Sequence, residues 1–194
     1  MSKKHYNENG FIPKHGGYQK LLSYKKAEII YDGTVYFCKR FFTKNDRTTD
    51  QMIQAARSGK QNIAEGSMAS GTSKETEIKL TNVARSSLEE LLIDYKDFLR
   101  IRHMNEWEKT HPYVLRLQEL NKNPDGNYET FRKGIENESP EICANVMIGI
   151  IKVASYLLDR QLKHLEEEFL REGGLRERMA DARIKQRGKG QKRQ

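Results

Sequence analysis

The chain has 194 residues and a formal net charge of +8, with 36% hydrophobic and 32% charged residues. This length fits one domain with flanking segments and can bury a real core. Its two cysteines, Cys38 and Cys143, are too few and too far apart for a disulfide or metal framework, and residues 1–17 contain no apolar run typical of a secretory signal. The apolar segment 146–158 is interrupted by Lys152 and is too short for a membrane span. We therefore expect a reduced, cytoplasmic protein without membrane attachment.

The positive charge is concentrated at the two ends of the chain. Residues 1–17 contain three lysines and one glutamate, and residues 171–194 contain nine basic and three acidic side chains. Residues 18–170 carry 23 side chains of each sign and are neutral as a unit. A neutral body with basic ends indicates that the ends, not the body, contact an anionic partner.

The first predicted helix follows a segment, residues 1–17, that we expect to be flexible. From residue 18 to about residue 42, apolar side chains recur with helical spacing. They form three lines: Leu22, Ile29 and Tyr36; Ile30, Phe37 and Phe41; and Tyr24, Tyr31 and Cys38. A surface helix of a small monomer needs only one apolar stripe. We therefore expect another subunit, or the tail, to cover a second face of this helix.

Two capping-box patterns predict the starts of the next two helices. Thr48-Thr49-Asp50-Gln51 predicts a helix to about residue 67, and Thr72-Ser73-Lys74-Glu75 predicts a long helix to about residue 102. The long helix carries apolar residues in alternating steps of four and three, which is typical of helix bundles. These residues are Ala84, Leu88, Leu91, Tyr95 and Phe98.

The rest of the chain predicts an insertion and one last long helix. Residues 104–120 predict a shorter helix interrupted near Pro112, and residues 121–139 predict a loop. Ser139-Pro140 is an N-cap followed by proline at the first helical position, and Gly173-Gly174 ends the helix that follows. The predicted fold is all-α: an up-and-down four-helix bundle over residues 18–170, an insertion at 103–139 and a basic flexible tail at 171–194.

Several motifs of this chain resemble those of a known family. Arg57-Ser58 precedes Asn62-Ile63-Ala64-Glu65-Gly66, which is followed by Ser73-Lys74-Glu75 and by Ala84-Arg85-Ser86-Ser87-Leu88-Glu89-Glu90-Leu91. In this combination the chain resembles the four-helix bundle proteins related to 23S rRNA intervening-sequence proteins, in the variant called the four-helix-bundle suffix type. The resemblance covers residues 18–101, and residues 140–170 by helical pattern alone.

The resemblance implies an up-and-down bundle that assembles into a ring-like homopentamer. It also implies a relative, the accessory variability determinant protein of diversity-generating retroelements, which binds nucleic acid and a reverse transcriptase through a basic surface. Most of the family has no assigned activity. This chain departs from the family in the insertion at 103–139 and in the basic tail, and its neutral body does not provide a basic wall.

The family motif has two interpretations. Asn62, Ile63, Ala64, Glu65 and Gly66 could form a site in which Glu65 acts as an acid or base and Asn62 orients a substrate. In the alternative, the small residues around the motif let two helices approach closely, and the polar side chains form helix contacts or cap a turn. We favour this structural interpretation.

Other chemistries have little support in the sequence. The segment from Gly66 to Lys74 has glycine spacing like that of a phosphate-binding loop, but Lys74 follows its hydroxyl residues and no strand precedes it. None of the five histidines completes a Glu-x-x-His motif. No nucleophile motif is present, and both cysteines are expected to be packing residues. We expect no cofactor, no metal and no enzyme activity.

The basic tail is the main functional prediction. Its nucleic-acid-binding candidates are Arg176, Arg178, Arg183, Lys185, Arg187, Lys189, Lys192 and Arg193. We expect this segment to be disordered or only partly helical when free, and to bind RNA or DNA through phosphate contacts with little sequence preference. The leading hypothesis is a non-enzymatic oligomer that binds nucleic acid and could act as an accessory to a nucleic-acid-processing protein. The alternative is a structural or protein-interaction scaffold without nucleic-acid affinity.

Overall fold

The protein is all-helical in a computed structural model that describes residues 15–43 and 45–191, with side chains to residue 184. Across these residues there is no β-strand. A short 3₁₀ helix, Tyr18–Lys20, precedes seven α-helices. They are α1 (Leu22–Phe41), α2 (Arg47–Ala69), α3 (Lys74–Ile101), α4 (Pro112–Asn121), α5 (Tyr128–Ile135), α6 (Pro140–Glu172) and α7 (Leu175–Gln191). The all-α prediction is confirmed.

The four longest of the first six helices enclose one hydrophobic core. α1 packs against α2 and α6, and α3 also packs against α2 and α6. Fully buried side chains from all four helices meet in this core; they include Phe37, Met52, Tyr95 and Ile151. The Tyr95 hydroxyl donates a hydrogen bond to Thr34 Oγ1 at 3.1 Å, which satisfies a polar group that water cannot reach.

The N-caps differ from the prediction at two helices. The Asp46 side chain accepts a hydrogen bond from the Thr48 amide at 2.9 Å, so α2 begins at Arg47 and the Thr48 capping box was wrong. α3 is capped by Ser73, not by Thr72, through the Thr76 amide at 3.1 Å. The predicted cap of α6 is confirmed, with Pro140 directly after Ser139. In each case an oxygen of a short side chain satisfies an amide that has no partner inside the helix.

The insertion contains two helices, α4 and α5, where one helix and a loop were predicted. Residues 104–111 are not helical, and the loop prediction for 121–139 missed α5. Asn127 and Thr130 form a capping box at the start of α5. Phe131 and Ile135, one turn apart, are buried against the core. Tertiary burial of these two side chains therefore stabilises a helix of only eight residues.

The apolar faces of α1 are partly covered by other helices of the same chain. α1 contacts α2, α5, α6 and the 3₁₀ helix. The ring centroids of Tyr18 and Tyr24 are 4.7 Å apart, and Lys60 Nζ of α2 lies 4.3 Å from the Tyr31 ring centroid. Tyr24, Tyr31 and Tyr36 remain half-buried, so the expectation that another subunit or the tail covers a second face stays a prediction.

Helix α6 passes a simple test for a membrane span. The stretch Pro140–Ile184, which covers α6 and the first part of α7, contains an 18-residue window of mean hydropathy 1.6. The apolar segment is therefore longer than predicted. Within that window 56% is buried inside the protein. Core helices pass the same test when they are buried on several sides, so this is weak evidence for a span.

The structure describes part of each terminal segment. Residues 1–14 of the segment predicted to be flexible lie outside the described residues, and the Gly16 amide donates to the Ser67 carbonyl at 3.1 Å. At the other end, Gly173 ends α6 with a φ of 67°, a conformation that favours glycine. The tail then forms α7 over Leu175–Gln191, and the expectation that it is disordered or only partly helical when free stays a prediction.

Candidate nucleic-acid interface

Helix α7 is a basic helix that makes few contacts with the rest of the chain. It contains six basic and two acidic residues and packs extensively against none of the other helices. Its first turn is fixed by the Glu177 carboxylate, which accepts a hydrogen bond from the Gly174 amide at 2.9 Å. A helix that is polar on all sides is stable only with local pairs or a partner. We call residues 175–194 the basic arm.

The predicted nucleic-acid-binding residues fall into three groups. Arg176 and Arg183 are exposed and lie seven residues apart, which places them on one face of α7. Arg178 is half-buried, and its Nε and Nη2 atoms are shielded from solvent with no hydrogen-bond partner in the described structure. Lys185, Arg187 and Lys189 have their backbone in α7. Lys192 and Arg193 lie outside the described residues.

Three charged side chains form an ion triad between α3 and α6. Lys74 Nζ lies 2.9 Å from Glu77 Oε2 and 2.7 Å from Glu168 Oε2, which joins the start of α3 to the end of α6. Burial lowers the pKa of Lys74, but its hydrogen bonds to Glu168 and Glu77 outweigh burial and raise it. For Glu77 burial is the larger effect and raises the pKa. Because two carboxylates already neutralise Lys74, the Gly66-to-Lys74 segment does not present a free cation to a phosphate.

The family motif lies at the contact between α2 and α3. A Cβ atom on Gly59 would be 2.7 Å from Leu88 Cδ2, and one on Gly66 would be 3.3 Å from the Glu77 carbonyl oxygen. The Ser58 and Ser87 hydroxyls are 2.9 Å apart. These distances show that small residues bring the two helices together, as the structural interpretation expected.

The polar residues of the motif do not form an acid–base pair. Asn62 Nδ2 donates to the Ser58 carbonyl at 2.9 Å and to Ser58 Oγ at 3.1 Å, so its amide is used within α2. Glu65 is exposed and no described residue pairs with it, whereas Ile63 and Ala64 are buried. A general acid or base needs an environment that shifts its pKa and a partner that orients it. No described residue provides such a partner for Glu65.

A groove beside the motif carries acidic charge. It has a volume of about 720 Å³, and its lining includes Asp50, Glu90 and Asp94. Burial raises the pKa of Asp94, and the charges of Asp97 and Glu90 raise it further. Carboxylates at this density repel a phosphate backbone. The α2–α3 face is therefore unsuited to nucleic acid, in contrast to the basic arm.

Metal and nucleophile chemistry have little support in the structure. Among the described residues there is no group of three or more histidine, cysteine, aspartate or glutamate side chains able to hold a metal ion. Cys38 and Cys143 are buried, and burial is the main cause that raises the pKa of each thiol to about 12. A thiol that stays protonated is a poor nucleophile.

The insertion builds a cleft that the sequence analysis missed. The cleft lies between α4, α5 and α6, has a volume of about 480 Å³ and is lined by both aromatic and basic side chains. The aromatic and basic residues are Trp107, Tyr113, Phe131, Arg116 and Lys133, and Leu117 adds an aliphatic side chain. Trp107 stacks on His111 with an interplanar angle of 7°, and its ring centroid is 5.3 Å from that of Tyr113. The clustering of Trp107, His111 and Tyr113 within seven residues was the available signal.

Comparisons with known proteins do not assign the chain to a family. No protein-family model matches it, and neither the curated proteins nor the solved structures give a match. The resemblance to the intervening-sequence proteins therefore stays a prediction from the motifs quoted above.

Proposed function

We propose that this protein is a non-enzymatic, oligomeric helix-bundle protein that binds RNA or DNA without sequence preference through the basic arm. The observation that carries the proposal is α7 itself, a basic helix that follows a neutral body and packs extensively against none of its helices. Cationic side chains that contact phosphates release counterions, which supplies affinity regardless of base sequence. The acidic α2–α3 groove directs such binding away from that face.

The proposal includes the bundle topology and the assembly that the family resemblance implies. The cycle of contacts among α1, α2, α3 and α6 is compatible with an up-and-down four-helix bundle, and the motifs favour a homopentamer of the intervening-sequence type. Five arms on one ring would raise the effective concentration of weak phosphate contacts. In this arrangement the protein acts in the cytoplasm, and it could serve as an accessory to a nucleic-acid-processing protein.

A second candidate function, a protein-interaction scaffold, is favoured by exposed apolar residues on α3. Val83, Ile93 and Ile101 are 45%, 53% and 63% exposed. Val83 and Ile101 are 18 residues apart, which is five helical turns and places both on one face. Apolar side chains on an outer helix face are typical of surfaces that contact another protein.

The test compares the full chain with a variant in which the six basic residues of α7 are replaced by glutamine. Binding to labelled RNA and DNA is measured by fluorescence anisotropy over a range of salt concentrations. For about six phosphate contacts we expect the full chain to lose about 10³-fold in affinity between 50 and 200 mM salt. The substituted variant should bind weakly and with a smaller salt dependence.

A matched control removes the same kind of charge from the body. Arg57, Lys39 and Lys163 are exposed cations outside the arm, and their replacement by glutamine should leave the affinity nearly unchanged. Equal affinity of the full chain and the α7 variant would contradict the proposal. Absence of binding by the full chain at low salt would instead favour the scaffold.

A further inference from the structure

We infer that the cleft between α4, α5 and α6 is a second nucleic-acid contact, which takes an unpaired base of a single-stranded RNA or DNA. The inference rests on the proposed function, to which it adds a site on the body and a preference for unpaired strands. The basic arm holds phosphates of any strand. The cleft would bind single strands in preference to duplexes, because a base inside a duplex is stacked and cannot enter it.

The shape and chemistry of the cleft suit a planar ring. Its volume of about 480 Å³ lies in the range of small-ligand sites. Leu117 and Phe131 provide an apolar surface, and Trp107 and Tyr113 provide aromatic rings. The Tyr113 side chain is 57% exposed, so its ring is open to a stacking partner. Bases stack on such rings with little sequence preference, because every base has a π-face.

The charge of the cleft suits a phosphate next to that base. Arg116 and Lys133 line the cleft and are exposed, and neither forms an ion pair with another described residue. The acidic residue of the lining, Glu129, is already paired with Arg132 at 3.3 Å. Two cations without counter-ions beside aromatic rings complement a nucleotide, which combines a ring with a negative charge. An uncharged apolar peptide would leave both cations unused.

The aromatic wall is held in place before any ligand binds. Asn145 is buried on α6, where its Oδ1 accepts from the Trp107 amide at 2.8 Å and its Nδ2 donates to the Asn105 carbonyl at 2.8 Å. Lys152 of α6 also pairs with Glu106 at 2.8 Å. A binding wall that is fixed by supporting hydrogen bonds loses little entropy when it contacts a ligand.

Trp107 allows a direct test because it is the only tryptophan in the chain. The full chain is titrated with an oligothymidylate of about ten nucleotides and with a duplex of similar length. We expect the single strand to quench the Trp107 fluorescence, whereas the duplex binds through the arm without quenching. Tyr113→Ala should weaken single-strand binding about tenfold. Tyr156→Ala is the matched control, since Tyr156 is 58% exposed on α6 outside the cleft.

Charge variants separate the cleft from the arm. Arg116→Gln and Lys133→Gln should each weaken single-strand binding several-fold and leave duplex binding unchanged, whereas Lys163→Gln should change neither.

The inference is overturned if the single strand and the duplex bind alike with constant Trp107 emission, a result that leaves the arm proposal intact. Quenching by thymidine monophosphate as strong as by the oligomer would also overturn it, because the ligand would then be a free nucleotide. Quenching with unchanged single-strand affinity after neutralisation of α7 would support the cleft and contradict the arm.

Discussion

At the scale of single residues, Gly59 allows a test of whether the family motif serves the packing of α2 against α3. Glycine inside a helix usually costs up to about 1 kcal/mol relative to alanine. At position 59 a glycine is nevertheless favoured, because the fully buried Leu88 occupies the space that a side chain would need. The close contact of α2 and α3 depends on this missing side chain.

We predict that Gly59→Val destabilises the protein by about 1–3 kcal/mol, because the added carbons push against Leu88. The free energy of unfolding in urea measures the effect. Glu65→Ala is the control in the same motif; Glu65 is exposed, so its loss should change the free energy by less than about 0.5 kcal/mol. A large loss of stability in Glu65→Ala, with little in Gly59→Val, would contradict the packing interpretation.

Lys26 is a buried amine without a hydrogen-bond partner in the described structure. Its side chain is 4% exposed, and its Nζ atom lies 4.5 Å from the Phe131 ring centroid. Burial lowers the pKa of Lys26 below its ordinary value of 10.5. The unfolded chain therefore binds this proton more tightly than the folded chain, and folding stability should rise with pH between the lowered pKa and 10.5.

We predict that Lys26→Met raises the free energy of unfolding by about 1–2 kcal/mol at neutral pH, because it removes a buried unpaired amine. The rise in stability towards pH 10.5 should shrink in this variant. Urea unfolding at several pH values measures both effects. Lys25→Met is the neighbouring control, and the loss of its exposed pair with Asp125 should have little effect. A less stable Lys26→Met protein would show that the contact with Phe131 outweighs the cost of burial.

At the scale of helices, the sequence predicted the long elements well and the short ones poorly. α3 and α6 have periodic apolar stripes over many turns, so their existence and their approximate ends could be predicted. α5 could not, because it has only eight residues and depends on burial of Phe131 and Ile135 against distant parts of the chain. The Asn127 capping box was the one local signal for it.

The candidate sites show the same limit. The basic arm was visible because charge is a property of the sequence, although its helix was not expected. The aromatic–basic cleft was not visible, because Trp107, Phe131 and Val146 lie far apart in the chain and meet only when the insertion packs on α6. The contact of α5 with α1 was missed for the same reason, since the segment that forms α5 was predicted to be a loop.

We predict that Asn145→Ala loosens the segment before α4. The substitution removes the hydrogen bonds to Trp107 and Asn105 and should cost about 2 kcal/mol, since it leaves polar backbone groups without partners. The emission of Trp107 should shift to longer wavelength as the indole becomes more exposed to water. Asn82→Ala is the control, because Asn82 is exposed and bonds only to Arg85 among the described residues. Unchanged emission in Asn145→Ala would show that other contacts hold the segment.

At the scale of the whole molecule, the body and the arm are separate in both charge and packing. We predict that truncation after Gly174 leaves the free energy of unfolding within about 0.5 kcal/mol of the full chain, since α7 contributes little buried surface. Urea unfolding of the two proteins measures this difference. A loss of several kcal/mol would show that α7 packs on the body, for example in a neighbouring subunit.

The proposed homopentamer can be tested by a direct measurement of its mass. Light scattering coupled to size exclusion should give a mass five times the chain mass of 22.6 kDa, at low and at high salt. The ratio of absorbance at 260 and 280 nm, recorded in the same run, should fall at high salt if bound nucleic acid is released. A monomer at both salt concentrations would contradict the pentamer that the resemblance implies.

The two buried thiols make the molecule convenient for site-directed labelling. Because Cys38 and Cys143 are inaccessible and remain protonated at neutral pH, a maleimide reagent should leave both unmodified in the folded protein. A cysteine introduced on the surface, as in Arg183→Cys, would then be the single reactive position without any change to the native pair. A dye or spin probe attached there would report the direction and motion of the last helix in solution.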